Sequence, residues 1–206
     1  KGKWKSQFDA KNTVQRSFYK PGGTTAEVRM MKQTSDFKIF TGEGFVLAEF
    51  PYGQGNFVMD VILPNDRDGL NEIIPLLNDN SFKGWLNQMG KREVDLTFPR
   101  FKYGYKKQLK DILTKMGMGI AFTDEADFSN ISDLRLLIND VTHQAFIETN
   151  EEGTEAAAAT IVDIGITSMP PPPFVLNIDH SFLYIIRETT TNSILFMGQV
   201  VDPLTN

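Results

Sequence analysis

The sequence contains no cysteine and only two histidines among its 206 residues. The lack of cysteine excludes thiolate nucleophiles and disulfides, and together with the scarcity of histidine it removes most zinc sites. No apolar run reaches the roughly 18 residues that a membrane-spanning helix needs. Positive charge is not in excess either, since 21 basic and 26 acidic residues give a formal net charge of −5. Nucleic acid and anionic lipid are therefore poor candidates for the main partner.

The composition is otherwise that of a soluble globular chain. Hydrophobic residues make up 41% and charged residues 23%, which suffices for a sizeable core. The chain starts Lys1-Gly2-Lys3-Trp4, without an initiator methionine or a signal peptide. A tryptophan so close to the start favours a cut through a folded body, so we expect these residues to belong to a longer protein.

Hydrophobic periodicity predicts strands with a few short helices. Residues 57–63 are apolar at nearly every position, which indicates a strand buried on both faces. Residues 68–89 change to a helical period, and Pro75 divides them into two short helices. Further segments are predicted as strands at 27–31, 36–41, 45–50, 94–101, 136–148, 182–187 and 193–201, and as a helix at 109–116. Strand blocks beside segregated helices indicate an α+β fold rather than a doubly wound parallel sheet.

Catalytic motifs are missing from the sequence. It has no G-x-S-x-G nucleophile elbow, no H-E-x-x-H zinc motif and no Walker phosphate loop. His143 lies in an apolar-rich strand, where a structural histidine is the simpler interpretation. His180 lacks the surroundings of a catalytic triad. We therefore interpret the chain as not being an enzyme, and no pattern implies a metal or a cofactor.

Residues 151–160 form the most unusual segment, with the sequence Glu-Glu-Gly-Thr-Glu-Ala-Ala-Ala-Ala-Thr. Alanine favours a helix, but Gly153 interrupts it early and β-branched residues follow. Taken instead as a strand, the segment places four small side chains on one face: Thr154, Ala156, Ala158 and Thr160. Such a strand could enter an already packed sheet without steric conflict.

This segment closely resembles the proximal hinge of the inhibitory serpins, whose pattern E-E-G-T-E-A-A-A-A-T it matches residue for residue. Further blocks are similar to the same family, in the same order along the chain: Lys1-Gly2-Lys3-Trp4 with Phe8, Val28 with Met30-Met31, Pro51-Tyr52-Gly53, Ile62-Leu63-Pro64, 98–101, Leu113 with 116–118, 126–129, 176–184 and 196–203. The resemblance covers the whole chain. It implies that residues 1–206 are the C-terminal part of a single serpin domain, with mixed and antiparallel β-sheets and a few short helices.

By this resemblance, residues 151–173 form a reactive centre loop. Its hinge consists of Glu151, Glu152, Gly153, Thr154, Glu155, Ala156, Ala157, Ala158, Ala159 and Thr160. The family acts as suicide inhibitors: a target protease attacks the loop and forms an acyl-enzyme, and the cut loop then inserts into the central sheet and traps the protease. The inhibitor itself supplies no catalytic residue.

The family's pattern also places the reactive bond. Counting from the hinge glycine gives Thr167-Ser168, and Ile166-Thr167 is the alternative. An uncharged residue before the bond favours an elastase-like or subtilisin-like target over a trypsin-like one. The resemblance allows a serine or a cysteine protease.

The resemblance also implies roles for individual residues outside the loop. Trp4, Arg100 and Glu151 match the family's breach, where the loop first enters the sheet, and Arg100 and Glu151 are expected to pair there. His143 matches the histidine of the region called the shutter. The N-terminal helices and the first strands of the central sheet are missing, so we expect that a further N-terminal segment completes the fold. We also expect that the isolated chain neither inhibits nor folds stably.

The sequence leaves the location and the function of the whole protein open. The resemblance favours a secreted protein, extracellular or periplasmic. The alternative function is a non-inhibitory serpin that acts as a carrier or a chaperone. Charged, bulky or proline residues in the hinge would favour that alternative, whereas Thr154 and residues 156–159 of this hinge are small throughout.

Overall fold

The computed structural model describes residues 2–152 and 172–204. These residues form two compact units, the first drawn from residues 2–101, 149–152 and 172–204 and the second from residues 102–148. No helix in the described ranges is long and apolar enough to span a bilayer.

The described strands are, in chain order, β1 (Val14–Tyr19), β2 (Thr25–Gly42), β3 (Phe45–Tyr52), β4 (Phe57–Pro64), β5 (Gly90–Pro99), β6 (Phe101–Gln108), β7 (Thr142–Thr149), β8 (Phe174–Asn177), β9 (Phe182–Glu188) and β10 (Ile194–Val200). Eight of them form one sheet in the order β10-β9-β4-β3-β2-β5-β8, with β1 also paired to β2. Neighbouring strands run antiparallel, except that β8 runs parallel to β5. The mixed sheet with few helices agrees with the predicted α+β class.

Strand β4 crosses the middle of this sheet and is buried at every position after Phe57. The prediction of a strand buried on both faces is thus confirmed. Side chains of β3, β4 and β9 form a core cluster with the helices that follow β4. These strands are paired along both edges, and the burial of consecutive residues in β4 shows that both of its faces are covered.

The two short helices predicted for residues 68–89 are present. Helix α1 (Leu70–Ile73) continues into a 3-10 turn that contains Pro75, and α2 (Asp79–Asn87) follows. Asn78 caps α2, since its side chain accepts hydrogen bonds from the backbone N–H groups of Asn80 and Ser81. Trp85 packs against Phe45, with 4.6 Å between the ring centroids, and so fixes α2 on the core.

Two strand predictions need correction. Residues 27–31 and 36–41 belong to one strand, β2, because the polar residues between them pair with β5 in an unbroken register. The strand predicted over 136–148 begins only at Thr142. The backbone of Ile138, before this strand, has a different partner, since its N–H donates a hydrogen bond to the Ala121 carbonyl.

The second unit contains the two-stranded sheet of β6 and β7. The helix predicted for residues 109–116 begins as α3 (Lys110–Leu113) and continues as a π-helical turn over Thr114–Met118. Gly117 has a φ of 98° there, a left-handed conformation that glycine adopts without strain. The helical backbone is therefore interrupted at Gly117.

A buried charge cluster crosses four neighbouring strands of the large sheet. Arg187 of β9 is 4% exposed and donates to both carboxylates of the cluster, at 2.6 Å to Asp60 of β4 and 2.6 Å to Glu49 of β3. Its third contact, at 2.9 Å, is to the side chain of Asn192 in the turn between β9 and β10. Lys38 of β2 binds the other oxygen of Glu49. Glu49 and Asp60 are register partners on adjacent strands, so their negative charges repel each other. The positive charge of Arg187 offsets this repulsion.

Asp60 makes the free energy of unfolding depend on pH. Burial raises the pKa of its carboxyl to about 6, although Arg187 opposes this shift. An unfolded aspartate has a pKa near ~3.9, so the folded state holds an additional proton between these values. This contribution to stability is therefore full below about pH 4 and is lost as the pH rises through about 6.

We expect an Asp60→Asn variant to lose this dependence. In urea titrations of the complete protein between about pH 4 and 7, the variant's free energy of unfolding should lack a falling component of up to about 1.4 kcal/mol per pH unit. Asp36→Asn is the matched control, because Asp36 is an exposed strand aspartate paired with Lys91. Equal pH slopes for the Asp60→Asn variant and the wild type would contradict the assignment.

Candidate functional site

Trp4 occupies a buried position beside the end of β7. Its ring stacks on Tyr52, with 4.5 Å between centroids, and its edge approaches Phe98 at 6.3 Å. The side chain is 5% exposed, and its indole Nε1 donates a 3.0 Å hydrogen bond to the carbonyl of Asn150. A buried indole N–H needs such a partner, so Trp4 fixes the backbone just before Glu151.

Glu151 is held by side chains from two distant segments. Its carboxylate accepts a 2.8 Å hydrogen bond from Arg100 Nε and pairs with Nη2 of the same guanidinium. It also accepts a short hydrogen bond from the Thr13 hydroxyl. Burial acts against ionisation, but the bonds from Arg100 and Thr13 outweigh it and lower the pKa of Glu151. The carboxylate is therefore charged at neutral pH.

These residues define the Glu151 cluster: Trp4, Thr13, Arg100, Asn150 and Glu151. It joins the segment before β1, the residue between β5 and β6, and the chain after β7. All five residues belong to the first unit. Because Glu151 and Glu152 precede the undescribed residues 153–171, the cluster fixes the point at which that segment begins.

The structure brings together part of the sequence-predicted site. Arg100 and Glu151 form the expected ion pair, and Trp4 contacts the residue preceding Glu151. Thr13 and Asn150 are members that sequence reasoning misses. Nothing in the sequence marks them, since Thr13 lies 138 residues from Glu151 and Asn150 contributes only its backbone.

The other predicted residues lie elsewhere. His143 is an exposed residue of β7 in the second unit, with its ring 6.2 Å from that of Tyr105. The strand that carries it pairs only with β6 in the described structure. The hinge from Gly153 to Thr160 and both candidate reactive bonds, at Ile166, Thr167 and Ser168, lie outside the described residues.

His180 has a structural environment. Its Nδ1 lies 2.9 Å from the Asp179 carboxylate and its Nε2 lies 2.8 Å from the Pro64 carbonyl. Both ring nitrogens are thus engaged, and the ring is 6% exposed. Within residues 2–152 and 172–204, no three histidine, aspartate or glutamate side chains are grouped as they would be around a metal ion.

We expect Glu151→Gln to loosen the Glu151 cluster. The amide keeps the shape but loses the charge-assisted bonds, which should cost about 1–2 kcal/mol at neutral pH. Because the pKa of Glu151 is lowered, its contribution is present at neutral pH and disappears as the pH falls through the folded-state pKa. Urea unfolding of the complete protein at neutral and acid pH measures both effects. Glu152→Gln is the control, since Glu152 is exposed; an equal loss in both variants would contradict the cluster.

The fold and the cluster define an α+β protein built on one large mixed sheet, and comparisons with known proteins identify the family. A family model described as "Serpin (serine protease inhibitor)" matches residues 1–203. Iripin-3 of Ixodes ricinus is 40% identical over 203 residues, and Serpin B3 of Homo sapiens is 37% identical over 209 residues. The chain therefore belongs to the serpin family.

Solved structures agree with this assignment. Human thyroxine-binding globulin complexed with thyroxine superposes with a TM-score of 0.84 at 29% identity, over 98% of this chain and 54% of the other. Uncleaved ovalbumin superposes with a TM-score of 0.83 at 28% identity, over 97% of this chain and 51% of the other. The chain covers 97% of its own length in the match to Iripin-3 but 52% of that protein, and 98% and 53% for Serpin B3. It thus spans about half the length of the relatives it matches.

Proposed function

We propose that this chain is the C-terminal part of one inhibitory serpin domain, and that the protein traps proteases covalently without being an enzyme itself. The observation that carries the proposal is the join between the Glu151 cluster and the hinge sequence 151–160. The cluster fixes one end of the proposed reactive centre loop, residues 151–173, through Arg100 and Glu151. The small residues that follow suit entry into a sheet.

The proposed reaction starts at the bond between Thr167 and Ser168, with Ile166-Thr167 as the alternative. The target's serine or cysteine attacks the carbonyl carbon before the bond, the peptide C–N bond breaks, and the new amino terminus leaves with a proton. The loop's N-terminal portion stays attached to the protease as an acyl-enzyme. Insertion of that portion into the central sheet then distorts the protease before water can release it.

The breach and the shutter enter as parts of this mechanism. We assign the breach role to Trp4, Arg100 and Glu151, because opening their contacts frees the start of the loop. Thr13 belongs with them through its bond to Glu151. We assign His143 to the shutter on its sequence position alone. A preceding N-terminal segment would supply the remaining strands of the central sheet, and a secreted location, extracellular or periplasmic, would supply the targets.

The test is covalent complex formation by the complete protein. Incubation with an elastase-like protease and with subtilisin should give an SDS-stable complex, and mass spectrometry of the denatured sample should find a C-terminal fragment that begins at Ser168. The same protease with its active-site serine blocked is the control, because it binds the loop without acylation. Cleavage without a complex, for each protease that cuts the loop, would overturn the inhibitory proposal.

The second candidate is a carrier or chaperone serpin. It is favoured by the structural similarity to thyroxine-binding globulin, whose solved structure contains thyroxine. Thermal unfolding of the complete protein before and after loop cleavage separates the two functions. An inhibitor should gain a large increase in melting temperature, because the inserted strand relaxes the sheet. An unchanged melting temperature would favour the carrier.

A further inference from the structure

The short strand β8 is the point where the chain rejoins the large sheet after residues 153–171. It lies at the end of the strand order and pairs in parallel with β5 over four residues, from Phe174 opposite Val94 to Asn177 opposite Thr97. Its second half is anchored well: Leu176 is 3% exposed and Ile178, just beyond the strand, is fully buried. The first half has less support, since Phe174 lies on the same face as Leu176 but is only half-buried.

Arg92 covers the start of this strand. Val94 is the register partner of Phe174, and because side chains alternate along a strand, Arg92 lies on the same face as Val94 and Phe174. The guanidinium carbon of Arg92 lies 4.4 Å from the centroid of the Phe174 ring. That distance is within the range of a cation–π contact. Arg92 itself is exposed and Phe174 is half-buried.

We propose that Arg92 is a positioning residue that fixes where the proposed reactive centre loop rejoins the sheet. Its contact holds Phe174, the first paired residue of β8, against β5. Without that contact the first pair of β8 opens more often, and the effective end of the loop moves toward Leu176. The loop then becomes longer and slacker on its C-terminal side.

The consequence for inhibition rests on the proposed function. After acylation the chain is cut, and the residues joined to β8 no longer belong to the portion that inserts. Arg92 therefore acts only before cleavage, when the protease docks on the intact loop. A slack loop is less preorganised for docking, so loss of the Arg92 contact should slow association and leave the partition between trapping and release unchanged.

The experiment compares Arg92→Met, Arg92→Lys and the control Arg16→Met in the complete protein. Methionine keeps an apolar chain without the charge, lysine keeps a cation, and Arg16 is another exposed strand arginine. In Arg92→Met, amide hydrogen exchange over residues 174–177 should be about two- to fivefold faster, the factor expected for an exposed cation–π contact. Exchange in Arg92→Lys should lie closer to wild type, and Arg16→Met should match it.

Unchanged exchange over residues 174–177 in Arg92→Met, or faster exchange over the entire sheet, would overturn the inference. The second readout is kinetic: the association rate constant with the target should fall by a similar factor at constant stoichiometry of inhibition. A raised stoichiometry would overturn the assignment to the step before cleavage. If wild-type protein forms no complex with proteases that cut it, the proposed function fails, and the exchange experiment still decides the role of Arg92.

Discussion

In the complete protein, replacement of Arg187 by methionine is expected to lower the free energy of unfolding by about 3–5 kcal/mol at neutral pH, since it leaves the buried carboxylate of Asp60 without its counter-charge. Asp60 is completely buried and Glu49 is 7% exposed. Both bind the same guanidinium, at 2.6 Å each, and Glu49 keeps Lys38 as its second partner. The loss should appear as a lower urea midpoint in unfolding followed by circular dichroism.

Two further variants separate the charge effect from packing. Arg187→Met combined with Asp60→Asn and Glu49→Gln removes the stranded charges, so it should recover part of the loss. Arg16→Met controls for the loss of a strand arginine. The cost of Arg187→Met should also be smaller near pH 5, where the Asp60 carboxyl is already mostly protonated, given its pKa of about 6. A cost below about 1 kcal/mol at neutral pH would show that Arg187 is not the buried counter-charge described above.

The same cluster shows how far the sequence predicts this fold. The apolar run of residues 57–63 predicts a strand buried on both faces, and β4 confirms it. Asp60 interrupts that run, and the sequence does not reveal its partner, because Arg187 lies 127 residues away. Local patterns predict strands and their burial, whereas the neighbour of a strand in the sheet is set by contacts between distant segments.

The errors in the predicted strands at 27–41 and 136–148 have a similar cause. Lys32 and Ser35 are polar, so they divide β2 into two apparent strands in the sequence pattern. In the sheet they pair with Thr97 and Val94 of β5. Their polar groups also have partners, since Lys32 pairs with Asp95 and the Ser35 hydroxyl is hydrogen-bonded to that of Ser6. The apolar residues at 136–141 cause the opposite error, because they predict a strand that starts too early. Backbone pairing rather than hydrophobicity decides where β7 begins.

The residues of the candidate site are predicted from a different kind of information. Trp4, Arg100 and Glu151 are predicted by the resemblance of their sequence blocks to the serpins, not by spacing or periodicity. The structure adds the contacts, including those of Thr13 and Asn150. A chain separation of more than a hundred residues leaves no local signal for such contacts, so they could be found only from the fold.

The largest functional effect is expected in the hinge, where adjacent alanines should respond differently to the same substitution. If residues 154–160 insert as a strand, Ala158 shares a face with Thr154, Ala156 and Thr160, all small. Ala157 and Ala159 share the other face with Glu155, whose charge indicates that this face meets solvent. Arginine at 158 would therefore have to enter a packed sheet, whereas arginine at 157 would extend into water.

Ala158→Arg should convert the protein from an inhibitor into a substrate. Burial of an unpaired guanidinium costs several kcal/mol, and each 1.4 kcal/mol is about a factor of ten, so the stoichiometry of inhibition should rise at least about tenfold. Cleavage of the loop should continue, because the reactive bond itself is unchanged. Ala157→Arg, one residue earlier and equal in size and charge, should keep nearly the wild-type stoichiometry. Gel analysis of complex against cleaved protein measures both variants, and equal behaviour of the two would mean that the hinge does not enter a sheet as a strand in this register.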